Sequence, residues 1–171
     1  MPGHNKQSSK VFLGIDPGTT RIGFGIIQAD QNSFSSIHYG IIAGTTADRI
    51  ANFANVARSL QQLVKKHRPV AAGIERLFIT KNQKTAMAVS EMRGVLLYTL
   101  GQYGIPVYEF TPLQVKQTVT GYGLAPKLQI QRVMQILLKI REPIVPDDAA
   151  DGLAIAICCA VHHGSIYQHE R

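Results

Sequence analysis

Five carboxylates stand where chemistry could use them: Asp16, Glu75, Asp147, Asp148 and Asp151, each at the end of an apolar run. The 171 residues hold 11 Asp and Glu against 18 Lys and Arg, a net charge of +7. A basic protein with a small acidic cluster suits a metal-dependent enzyme acting on a polyanion such as nucleic acid, where lysines hold phosphates and carboxylates hold the metal. An all-oxygen donor set favours Mg²⁺, with Mn²⁺ as a substitute. Two such ions about 4 Å apart can activate a water and stabilise the leaving oxygen of an in-line phosphodiester displacement. No His lies in the acidic motifs, so activation of the attacking water falls to the metal.

The elements that must position these acids follow from the patterning. Val11 to Thr20 reads VFLGIDPGTT, a buried strand that stops on Asp16 and reverses at Pro17-Gly18. RIGFGII, residues 21 to 27, runs back as a second strand, and Ser33 to Ile42 completes an antiparallel meander. Ile50, Phe53, Ala57, Leu60 and Val64 recur at helical spacing, after Thr46 or Asp48 as a cap and before His67-Arg68-Pro69. That helix is long enough for a crossover, so VAAGIE (70–75) returns as a strand parallel to the first. Glu75 then arrives beside Asp16, at the carboxyl ends of strands where open α/β sheets place ligands. Taken alone, each has a plainer explanation. Asp16 could be a turn former and Glu75 a strand-end partner of Arg76.

Beyond Glu75 comes a basic loop, RLFITKNQK, with Phe78, Lys81 and Lys84. Phe78 is either a core residue or an aromatic wedge that stacks on a base. The helix that follows, from about Thr85 to Tyr103, has more apolar surface than one sheet face needs, for core packing or for a homodimer interface. IPVYEF is a fifth strand, whose Glu109 is solvent-facing or paired and has no assigned role. Pro112 to Val119 forms a short helix ended by Gly121-Tyr122-Gly123, and Pro126 opens another, with a stripe of Ile130, Val133, Met134, Leu137 and Leu138. Lys116 and Lys127 flank the glycine turn, either as phosphate contacts or as solvated surface lysines. Residues 149 to 161 are apolar except for Asp151 and Gly152, which predicts a helix buried on most sides. Asp148 and Asp151 share its first turn, where a positive helix end tolerates acids. Asp147 could serve as its N-cap.

The length suits one domain over residues 11–171 after a flexible leader, 1–10. Cys158 and Cys159 are the only cysteines, adjacent in an apolar run, and read as reduced core thiols of a cytoplasmic protein. The longest strongly apolar run, Leu153 to Val161, is nine residues, whereas a membrane span needs about 20. GIDPGTT is also similar to the phosphate loop of actin-like ATPases and sugar kinases, but that architecture requires two such domains, and no second copy is present.

Three motifs in order, GIDPGTT, GIERLFITKN and DAAD opening an apolar C-terminal helix, resemble the RuvC family of Holliday-junction resolvases. The resemblance takes in FTPLQVKQTVTGYG and covers roughly Val11 to His163. It implies an α/β, ribonuclease H-like fold, a five-stranded mixed sheet flanked by helices. It also implies that Asp16, Glu75, Asp148 and Asp151 are the catalytic, Mg²⁺-binding carboxylates, that Lys116 and Lys127 handle the junction, and that Phe78 stacks at the crossover. The implied substrate is a four-way DNA junction, cut in two opposed strands by a homodimer, with a branch-migration helicase of the same repair system as partner. Two features depart from the family pattern: the longer leader, and Gly152 in place of the usual Ala, expected to loosen the helix slightly and leave the chemistry untouched. A relative cutting another nucleic acid, or a non-catalytic junction-binding protein, would share the fold.

Overall fold

The apolar run ending on Asp16 forms the central strand of a five-stranded sheet. The computed structural model describes residues 9–30, 33–44, 48–77 and 83–169. The strands are β1 (Lys10–Asp16), β2 (Arg21–Ala29), β3 (Phe34–Ala43), β4 (Ala71–Glu75) and β5 (Val107–Phe110), in the order β3-β2-β1-β4-β5. The first three form the antiparallel meander, while β4 and β5 run parallel to β1. Lys10, expected in the leader, is instead the first residue of β1 and pairs with Ala29. The rest of the leader expectation, residues 1–8, lies outside the described residues, as does Thr46.

Strand alternation divides the core into two layers. Leu13, Ile15, Ile22 and Ile74 face α1 (Arg49–His67) and α2 (Gln83–Gln102). Phe12 and Ile27 face α3 (Pro112–Thr120), α4 (Lys127–Leu138) and α5 (Asp147–His169). The two layers sandwich the mixed sheet between helices. Asp48 caps α1 by accepting from the Ile50 and Ala51 amides. Leu60 and Val64 of the expected α1 stripe are buried, and Phe53 packs partly buried against the same layer, alongside buried Asn52 and Val56. Ile50, at 66% exposure, faces solvent. Asn52 donates to the Thr19 carbonyl at 3.3 Å, tethering the turn after Asp16.

Glycines decide where α5 lies. A β-carbon on Gly14 or Gly23 would collide with the backbone of α5, at Gly152 and Ala156 in one case and at Asp148 in the other. One on Gly152 would meet Phe24 C at 2.6 Å, Phe24 Cα at 2.7 Å and Gly25 N at 2.8 Å. Helix and sheet are therefore in backbone contact, which glycine alone permits. This corrects the expectation for Gly152: it is no minor loosening of the helix, but the contact that lets α5 seat on β1 and β2. Cys158 and Cys159 lie in the same buried helix as free thiols.

Candidate active site

Ile15 pairs with Ile74 across β1 and β4, so Asp16 and Glu75 are the next residues on adjacent parallel strands. Asp16 also pairs with Gly23 on β2. The Asp148 carbonyl sits where a Gly23 side chain would be, which brings the first turn of α5 over the tip of β1. Three elements distant in sequence, β1, β4 and α5, thus bring Asp16, Glu75, Asp148 and Asp151 to one end of the sheet.

Their mutual repulsion measures the clustering. Burial, and then the charges of Glu75, Asp151 and Asp148, push the Asp16 carboxyl up to about 7 from an ordinary value of 3.8. Burial and then Asp151 also raise Glu75. Asp151 keeps solvent access, yet the protein around it raises its pKa as well, with Asp147 and Asp148 adding to the effect. The opposing charges are those of two lysines, Lys127 acting on Asp16 and Asp151, and Lys116 acting on Glu75 and Asp151. Both lysines singled out in the sequence therefore lie within electrostatic reach of the acids.

The plainer explanation of Glu75 does not hold. Arg76 Nε lies 3.7 Å from Glu109 Oε2, and Arg93 Nη2 lies 2.8 Å from Glu109 Oε1, so Glu109 is paired and Arg76 is drawn to it. Asp147 is the first residue of α5, not its cap. Its Oδ2 lies 2.9 Å from Lys127 Nζ, and its Oδ1 accepts from Gln131 Nε2 at 3.2 Å. Lys127 holds Asp147 well below the usual carboxylate range.

Two residues at the site were not foreseen. Arg21, at the start of β2, donates through Nε at 3.0 Å and Nη2 at 2.9 Å to Asp148 Oδ2. They stand 127 positions apart in the sequence, so nothing in local patterning pairs the two. Gly23 had a usable signal, since glycine inside a strand often marks close backbone approach. Phe78 and Lys81 lie outside the described residues, as does the side chain of Lys84.

Among the described residues, no three His, Cys, Asp or Glu side chains are already arranged to hold a metal ion. The donor chemistry nevertheless fits a hard divalent cation. The set is four carboxylates without sulfur or imidazole; burial first, and then neighbouring carboxylate charge, raises the pKa values of Asp16, Glu75 and Asp151, and a cation among them would relieve that repulsion.

A family model described as Crossover junction endodeoxyribonuclease RuvC matches residues 12–159. A protein of that name from Petrotoga mobilis is 46% identical over 149 residues, 86% of this chain and 91% of its own. One from Moorella thermoacetica is 42% identical over 151 residues, 88% and 90% of the two chains. The fold superposes on T. thermophilus RuvC in complex with Holliday junction substrate, with a TM-score of 0.85 and 27% identity over 90% of this chain and 94% of that one.

Proposed function

The chain belongs to the RuvC family of crossover junction endodeoxyribonucleases, and from that premise we propose that it resolves four-way DNA junctions through the acids gathered at the tips of β1, β4 and α5. The single observation that carries the reading is the coupled cluster of Asp16, Glu75, Asp148 and Asp151 with two lysines beside it.

The residues divide the work. Asp16, Glu75, Asp148 and Asp151 would hold Mg²⁺ or Mn²⁺, most simply as two ions per site. When bound, the metal supplies Lewis-acid activation of a water and stabilisation of the leaving oxygen. Asp16 contributes fully once its proton has left, because a ligating carboxylate must be ionised. Lys116 and Lys127 orient the scissile phosphate over the acids as point charges. Lys127 first leaves Asp147, an exchange that costs little because both side chains of that ion pair are exposed to water.

Cutting two opposed strands symmetrically calls for two copies of the chain. Along α2, Met87 and Tyr98 are 67% and 70% exposed and lie three turns apart on one face. Gly94 lies between them, with open space around it. Such a stripe suits apposition of a second α2. Among the described residues no helix is long and apolar enough to cross a membrane. Family membership is what supports a cytoplasmic enzyme that works beside a branch-migration helicase.

The test is a gel assay on a labelled four-way junction, a linear duplex and an RNA–DNA hybrid, each with and without Mg²⁺. Paired nicks in the junction alone, dependent on Mg²⁺, are expected. Asp16→Asn should abolish cutting while junction binding survives, because the amide removes charge without changing shape. Cutting of duplex or hybrid as fast as junction, or an active Asp16→Asn, would refute the reading.

A further inference from the structure

The Arg21–Asp148 pair is one-sided. Both guanidinium bonds fall on Oδ2, and among the described residues none falls on Oδ1. An arginine that grips one oxygen of a carboxylate with two donors restrains the carboxylate's rotation and leaves the other oxygen for a cation. Hydrogen-bonded partners of this kind set the orientation of metal-binding carboxylates.

We propose that Arg21 is a positioning residue of the metal site, gripping Asp148 Oδ2 so that Oδ1 stays available to the cation. The inference rests on Asp148 being a metal ligand. It also predicts a sign that simple electrostatics does not. A positive side chain near a divalent cation repels it, so if charge alone mattered, neutralising Arg21 would tighten metal binding. If orientation dominates, the same change weakens it. Arg21 is mostly exposed, with 58% of its side-chain surface accessible, so its replacement should not disturb the core.

The experiment is calorimetric titration of the full chain with Mn²⁺ in the absence of DNA, beside thermal melting, for the unsubstituted protein, Arg21→Gln, Arg21→Lys and Asp148→Asn. Arg21→Gln should bind Mn²⁺ about tenfold more weakly with an unchanged melting temperature. Arg21→Lys keeps the charge but lacks the planar fork, and should be weakened too. Unchanged or tighter binding by Arg21→Gln overturns the proposal, as does full retention of affinity by Arg21→Lys. Asp148→Asn separates the two layers of the argument. Unaltered Mn²⁺ binding there would remove Asp148 from the ligand set and defeat the underlying reading. Loss there with no effect in Arg21→Gln defeats only the role of Arg21.

Discussion

Gly152 of α5 lies directly against the backbone of Phe24 in β2, where a β-carbon would come within 2.6 Å of the Phe24 carbonyl carbon. The contact belongs to the site as much as to the core, because the helix it seats carries Asp148 one turn before Gly152 and Asp151 immediately before it.

Two effects compete at this position. Helix propensity favours Gly152→Ala by about 1 kcal/mol. The clash is with backbone atoms that cannot rotate away, and overpacking of this kind costs about 1–3 kcal/mol. The clash should win. Gly152→Ala is expected to lower the melting temperature, and to lose more activity than stability because α5 must lift off the sheet with its two acids. A variant more stable than the parent and equally active would show that the contact relaxes freely.

Asp16 gives a pH dependence with a defined sign. Its carboxyl titrates near about 7 in the fold against an ordinary 3.8, so between those values the folded state binds more protons than the unfolded one. Stability of the metal-stripped protein should fall as pH rises from about 4 to about 7 and level off above. Mn²⁺ should restore stability most at the alkaline end. Melting curves of Asp16→Asn should lose much of this slope, with a remainder from Glu75 and Asp151, whose pKa values are raised in the same direction. A slope as steep as that of the parent would point to other groups.

For Lys116 and Lys127, substitution by Ala should weaken junction binding or cutting, and each should reduce the slope of log affinity against log salt by about 1. Lysines that only solvate the surface would leave affinity and slope unchanged. Filter binding across a salt series decides between them.

Phe78 has two outcomes far apart in size. As a wedge it would stack on an unpaired base, a contact worth about 1 to 3 kcal/mol. Phe78→Ala should then melt normally and bind duplex normally, yet cut intact junctions about tenfold more slowly. A junction pre-opened at its centre should rescue it. As a core residue, truncation would cost about 3–5 kcal/mol of stability, and a lowered melting temperature without rescue would assign it there.

The sequence by itself determined a great deal. Short continuous apolar runs ending at Asp16 and Glu75, with a helix between them long enough for a crossover, made the parallel pairing of β1 and β4 legible, and with it the meeting of two acids. Three motifs in order carried the family and, through it, the proposed substrate. Local patterning could not reach what depends on how α5 meets the sheet. A glycine's missing β-carbon matters only against a particular neighbour, so Gly152 read as a small defect until Phe24 was found beneath it. Side-chain pairing over long separations is likewise a property of the packed molecule. Arg76 had an acid next to it in sequence and was drawn to Glu109, Asp147 served Lys127 and not the helix end, and Arg21 met Asp148 only because the strand after Asp16 and the last helix share one end of the sheet.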